Sequence, residues 1–144
     1  MKSFLSERVA LRGLVAILSF TVLFHLLVIL TVIPFEIVWG GRLTNRSQML
    51  GFETVSIAIN LVMLAVVAIK ADLLKVTMNR KLINGALWVM AGLFFLNTIG
   101  NLFSTNGFEK MVFTPLTLLL SLFSLRAASA DTENLPIKPL PRNH

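Results

Sequence analysis

Four long apolar stretches constrain the fold of this chain more than any other feature. They cover residues 13–33, 54–70, 82–101 and 111–126. Each approaches the roughly 20 apolar residues that a helix needs to cross the hydrocarbon layer of a membrane. Of the 144 residues, 56% are hydrophobic and only 14% are charged, so little sequence is left for a soluble domain. The sequence therefore predicts an all-α, polytopic membrane protein, built as a four-transmembrane-helix bundle over residues 1–126.

The basic residues are unevenly distributed between the connections. The chain has 13 Lys and Arg against 7 Asp and Glu, a formal charge of +6. Only Arg42, Arg46 and Lys110 lie in the first and third connections; the other ten lie in the second connection or near the termini. Because basic segments stay on the cytoplasmic side, we predict a multi-pass plasma-membrane protein with both termini in the cytoplasm. The basic face predicts contact with anionic membrane lipids, and not with nucleic acid.

The segments outside the apolar stretches have distinct compositions. Residues 1–12 predict a short interfacial helix. The first connection contains Trp39-Gly40-Gly41-Arg42, in which the paired glycines permit a tight turn with positive φ. Since Ile37, Val38 and Trp39 are too apolar for a solvated loop, we predict that this connection folds back over the mouth of the bundle. Residues 127–144, which contain three prolines, are predicted to form a disordered cytoplasmic tail.

Polar residues within the apolar stretches follow helical spacing. A polar group in hydrocarbon has no water to bond, so it indicates a partner or a function. On the second stretch Glu53, Ser56 and Asn60 share one helix face, and on the third Asn97 and Asn101 lie four residues apart. Threonines and serines repeat the pattern on the fourth stretch from Thr114, and His25 lies deep in the first. Glu109 precedes the fourth stretch.

Most of these residues belong to the outer half of the bundle. If these polar stripes face each other, they form a polar pocket that opens outward and binds or transports a small polar or ionic ligand. In that hypothesis the glutamates attract a cation or amine, Arg42 orients an acidic group, the asparagines donate hydrogen bonds, and His25 handles a proton. The predicted ligand-binding residues are His25, Glu36, Arg42, Glu53, Ser56, Asn60, Asn97, Asn101 and Thr114.

Two other functions fit the same residues. A membrane-embedded enzyme would use a His/Glu pair to move protons on a lipid-like substrate. A non-catalytic accessory subunit of a membrane complex would use the polar stripes to pack against a larger partner or a second copy of the chain. An imidazole and a carboxylate within hydrogen-bond reach beside an opening to the lipid would favour the enzyme, and a dry interior would favour the accessory subunit. A sealed pocket with no route inward would disfavour transport.

Several site chemistries lack the residues that they need. The chain has no cysteine and two histidines, one of them the last residue, so we predict no metal site, no disulfide and no cofactor. It carries no phosphate-binding glycine loop and no nucleophile elbow. We assign no catalytic residue from the sequence.

Some short runs resemble those of a group of small four-span bacterial membrane proteins. The runs are Pro34-Phe35-Glu36, Trp39-Gly40-Gly41-Arg42, Asn97-Thr98-Ile99-Gly100-Asn101, Phe108-Glu109-Lys110 and Phe113-Thr114-Pro115-Leu116-Thr117. The resemblance implies the bacterial inner membrane as the location, and it implies no activity.

Overall fold

The computed structural model describes residues 5–133 and is helical in all its regular elements within that range. The long helices are α1 (Glu7–Ile29), α2 (Arg46–Lys70), α3 (Arg80–Leu102) and α4 (Thr114–Glu133). Two 3-10 turns, Phe35–Ile37 and Trp39–Gly41, lie between α1 and α2, and a π turn, Glu109–Phe113, leads into α4. The predicted all-α class is confirmed, with four helices long and apolar enough to cross a membrane.

Capping side chains extend the first two helices beyond their apolar stretches. The Oγ atom of Ser6 accepts a hydrogen bond from the Val9 N–H at 3.2 Å, so α1 begins at Glu7. Residues 7–12 are therefore the first turns of α1 and not a separate interfacial helix. In α2, Asn45 accepts from the Gln48 N–H at 2.9 Å, and the helix begins eight residues before the apolar stretch. Caps set these boundaries because the first N–H groups of a helix need acceptors.

The fourth helix differs from its predicted span at both ends. The π turn Glu109–Phe113 leads into α4, which begins at Thr114, three residues after the predicted start of the span; Pro115, whose ring nitrogen cannot donate to a carbonyl one turn back, is its second residue. At the other end α4 continues past residue 126 to Glu133. Residues 127–130 include three buried alanines, and alanine has the highest helix propensity. The rest of the predicted tail, residues 134–144, lies outside the described residues.

The helices pack in the order α2, α1, α4, α3. Helix α1 contacts α2 and α4, and α4 makes its most extensive contact with α3, whereas α2 and α3 touch little. One apolar core fills the half of the bundle where α1 begins, and it includes Leu14, Leu18 and Leu87. A smaller core at the opposite end comprises Val28, Val38, Leu43 and Met49. Because Val38 and Leu43 belong to the first connection, the predicted folding back of this connection is confirmed.

Gly13 allows α1 and α4 to approach closely. A Cβ atom at this position would lie 2.3 Å from the Phe123 ring, which is too close for any real contact. We expect Gly13→Ala to lower the free energy of unfolding by about 1–3 kcal/mol, the usual effect of overpacking. Unfolding in mixed micelles of increasing sodium dodecyl sulfate measures the change. Gly92→Ala is the matched control, because its Cβ would meet no atom within 4 Å; an equal loss in both variants would contradict the close contact.

Candidate functional site

Glu53 is the centre of a polar cluster at the end of the bundle where α1 ends and α2 begins, called here the Glu53 end. The residue is 0% exposed. Its Oε2 atom lies 2.6 Å from Nδ1 of His25, on α1, and its Oε1 atom accepts a hydrogen bond from Nε1 of Trp39 at 2.8 Å. Both carboxylate oxygens are thus bonded to nitrogen donors from other elements. An imidazole nitrogen and a carboxylate oxygen at this distance form a hydrogen bond, so Glu53 joins α2 to α1 through His25.

Glu109 is a second buried carboxylate at the same end, 7% exposed. Its Oε1 atom accepts from the Gly40 N–H at 2.7 Å, and its Oε2 atom accepts from the Ser104 hydroxyl at 2.6 Å. The Asn106 side chain also donates to the Ile37 carbonyl at 2.7 Å, which joins the first and third connections. The two neighbouring residues Trp39 and Gly40 therefore bond carboxylates from two different helices.

The backbone of Trp39, Gly40 and Gly41 adopts a conformation that suits these bonds. All three residues have positive φ, at 55°, 64° and 69°. Glycine adopts this region without strain, but a bulky residue such as tryptophan rarely does. A conformation of this kind persists where surrounding contacts hold it. Residues 34–45, called here the capping segment, are held over Glu53 by the hydrogen bonds of Trp39 and Gly40.

A hydroxyl layer joins α3 and α4. The Thr98 hydroxyl lies 2.9 Å from that of Thr117, and the Asn101 amide donates to Thr117 at 3.4 Å. One turn further along α4, the Ser121 hydroxyl donates to the Ala91 carbonyl on α3 at 2.9 Å. Thr117 and Ser121 on α4 thus bond to α3, whereas the buried Ser124 hydroxyl has no hydrogen-bond partner among the described residues.

The structure brings together some of the residues predicted from the sequence. His25 and Glu53 are in direct contact. Arg42 lies at the edge of the cluster, on the same side of Gly40 as Glu109. Its Nε atom and the Oε2 atom of Glu109 are each 3.7 Å from the position that a Cβ atom on Gly40 would occupy. Asn101 belongs to the hydroxyl layer. The Thr114 hydroxyl is buried and has no hydrogen-bond partner among the described residues.

The other predicted residues lie elsewhere. Glu36 is exposed in the capping segment. The Ser56 hydroxyl donates to the Phe52 carbonyl, and the Asn60 side-chain amide donates to the Ser56 carbonyl, so both bond within α2. Asn97 is exposed on the outer surface of α3 and makes no hydrogen bond to the described residues. The capping segment covers Glu53, so this carboxylate does not line an open pocket. Ser56 and Asn60 therefore do not belong to the cluster around Glu53. Serine and asparagine side chains bond the backbone of their own helix when no partner helix faces them.

Trp39, Gly40 and Ser104 belong to the cluster but are not among the ligand-binding residues predicted from the sequence. Glu109 is also absent from that set, although its place before the fourth stretch was noted. A signal for the first two was present, since an apolar run with paired glycines was already predicted to cover the mouth. The contact of Ser104 with Glu109, five residues apart, follows from the tight turn before α4 and has no periodic signature.

Comparison with known proteins adds no relationship. No family model matches the chain, and no curated protein and no solved structure matches it. The function is therefore argued from the geometry of the cluster.

Proposed function

We propose that this chain is a multi-pass membrane protein whose Glu53 end binds a small cationic ligand carrying N–H donors, such as an amine. The observation that carries the proposal is the buried Glu53 carboxylate with His25 Nδ1 at 2.6 Å and Trp39 Nε1 at 2.8 Å. A buried carboxylate is costly to maintain unless its charge is compensated. A positively charged ligand would compensate the negative charge of Glu53 and would gain binding free energy from it.

The donors around Glu53 define the class of ligand. Both carboxylate oxygens accept from N–H groups of the protein. A ligand that replaces Trp39 must supply its own N–H donors and must fit beneath the capping segment. An ammonium group meets this requirement because it has several N–H donors and a positive charge. Nδ1 of His25 adjoins the same carboxylate, so a ligand that replaces Trp39 would lie beside the imidazole.

Trp39 itself reports on the binding. The chain has two tryptophans, and Trp88→Phe leaves Trp39 as the single emitter. We expect methylammonium chloride to change the Trp39 fluorescence of the detergent-purified protein in a saturable manner, with sodium chloride at equal ionic strength as the control. Glu53→Gln in the same background is expected to abolish the saturable change. A response to methylammonium that persists in Glu53→Gln would overturn the assignment of the ligand to this carboxylate.

A second candidate function is catalysis on a lipid-like substrate. It is favoured by His25, whose side chain is 15% exposed and which bonds through Nδ1 only among the described residues. A carboxylate on one ring nitrogen orients the imidazole and leaves Nε2 to act as a general base. Hydrolysis of p-nitrophenyl palmitate in mixed micelles that His25→Gln eliminates would support this function. Activity equal in both proteins would exclude His25 as its base.

The orientation that we propose places the Glu53 end outside and the basic end inside, in a bacterial inner membrane. It rests on the distribution of Lys and Arg. Because the chain has no cysteine, single cysteines report their side without background. We expect cysteines at the exposed positions Ser47 and Thr105 to react with an impermeant maleimide in intact cells, and a cysteine at the exposed Thr77 to react only after permeabilisation. The opposite labelling pattern would reverse the orientation.

A further inference from the structure

A cavity of about 790 Å³ lies at the basic end of the bundle, where α1 begins, α2 ends and α3 begins. It is distant from Glu53 and is formed by the first turns of α1, the connection after α2 and the start of α3. Its charged lining residues are Glu7, Arg8, Arg12, Lys70, Asp72 and Arg80. Four of these are basic and two are acidic, so the walls carry an excess of positive charge that favours an anion.

Lys70 and Glu7 organise one wall of this cavity. Lys70 Nζ donates to Asn84 Oδ1 at 2.9 Å and lies 3.6 Å from Glu7 Oε1, which links α2 to both α3 and α1. The lysine side chain is 10% exposed, so this link is nearly buried. Arg8 and Arg12 are one helical turn apart and exposed on α1. Apart from Glu7, which lies beside Lys70, Asp72 is the one carboxylate in the lining among the residues that the structure describes.

An apolar groove runs beside the cavity, toward the middle of the bundle. It has a volume of about 410 Å³ and lies between α2 and α3, the helices that touch little. Its lining is entirely apolar: Ala58, Ile59, Val62, Met63, Val66, Ala86, Val89, Met90 and Leu93. Ile69 and Ile83, in the cavity wall, are one turn from Val66 and Ala86 on their helices. A basic cavity thus adjoins a hydrocarbon-like groove.

We propose that the basic cavity binds the headgroup of an anionic phospholipid, and that the α2–α3 groove holds one of its acyl chains. A phosphate diester would bond the Arg8 and Arg12 guanidinium groups, as arginine binds phosphate in a bidentate manner. The groove decides between a lipid and a soluble anion, because only a lipid gains from an apolar groove next to the phosphate site. The cavity is separate from the Glu53 cluster, so this inference does not depend on the proposed amine binding.

Native mass spectrometry of the full chain tests the proposal. The protein is purified in detergent, exposed to equimolar phosphatidylglycerol and phosphatidylcholine, and sprayed after detergent removal. We expect the phosphatidylglycerol adduct to exceed the phosphatidylcholine adduct by about thirtyfold, because each of the two basic groups contributes about 1 kcal/mol on an anionic headgroup. The double variant Arg8→Gln with Arg12→Gln is expected to reduce this ratio to about one. Arg46→Gln removes an exposed arginine at the other end and is expected to keep the wild-type ratio.

Three further measurements distinguish a lipid from free phosphate and control for misfolding of the glutamine variant. Arg8→Lys with Arg12→Lys keeps the charges and is expected to retain most of the preference, so it decides the matter if the glutamine variant does not fold. Ala86→Phe fills the groove and is expected to lower the phosphatidylglycerol adduct while leaving the arginines intact. Inorganic phosphate in excess is expected not to displace the lipid. Equal adducts of both lipids on the wild type, an equal loss in Arg46→Gln, or displacement by inorganic phosphate would each overturn the phospholipid site.

Discussion

Replacing Glu53 with alanine is expected to lower the free energy of unfolding by about 3–5 kcal/mol, because two nitrogen groups lose their buried carboxylate partner together. The substitution leaves His25 Nδ1 and Trp39 Nε1 without the acceptor that they share, at a position with no exposure. Unfolding in mixed micelles, followed by circular dichroism, measures the loss. The fluorescence of Trp39 in the Trp88→Phe background should change as well, because its indole N–H loses its partner.

Glu53→Gln is the matched control for this prediction. Glutamine keeps an oxygen for Trp39 and places an amide near His25, so its destabilisation is expected to be about 1–2 kcal/mol, the range for one weakened buried hydrogen bond. The same variant is expected to lose the methylammonium response, because the negative charge is gone. Equal stability losses in the alanine and glutamine variants would show that the charge of Glu53, and not the shape of its side chain, stabilises the fold at this position. A loss below 1 kcal/mol in Glu53→Ala would contradict its anchoring of the capping segment.

Replacing Glu109 with alanine is expected to release the capping segment from α4. Two donors, the Gly40 N–H and the Ser104 hydroxyl, lose their carboxylate acceptor together. We expect a loss of about 3 kcal/mol in the free energy of unfolding, since hydrogen bonds to charged groups contribute about 1.5–3 kcal/mol each and are not additive. Hydrogen exchange measures the local effect directly, because the Gly40 amide is itself the donor. Its protection is expected to fall by about a hundredfold, the equilibrium equivalent of most of that free energy.

Glu36→Ala provides the control within the same segment. Glu36 is exposed and makes no hydrogen bond within residues 5–133, so its replacement is expected to change stability by less than about 0.5 kcal/mol. The protection of the Gly40 amide should then remain at the wild-type level. If Glu36→Ala exposed the Gly40 amide as strongly as Glu109→Ala, the carboxylate of Glu109 would not be what holds the capping segment.

Helical spacing predicted which residues of the candidate site share a face, but not which partners they bond. Glu53, Ser56 and Asn60 share a face, and the spacing predicted a common role for them. In the structure Glu53 bonds other elements, whereas Ser56 and Asn60 bond their own backbone. The reason is local: serine and asparagine have backbone acceptors within reach on the preceding turn, but a carboxylate needs donors, and a helix offers none in its middle. Glutamate therefore has to find its partners on another element.

The sequence by itself determined the four apolar helices, the two ends that differ in basic charge, and the covering of one end by an apolar connection with paired glycines. These features follow from composition and periodicity, because burial of apolar surface and the length of a helix are properties of a single segment. Only the tertiary structure decided that His25 meets Glu53, that Gly40 meets Glu109, and that α2 and α3 part to leave a groove. Such pairings join residues 28 and 69 positions apart, and they depend on how the helices pack and on where a turn directs its N–H groups. No local sequence pattern specifies how the helices pack or where a turn directs its N–H groups.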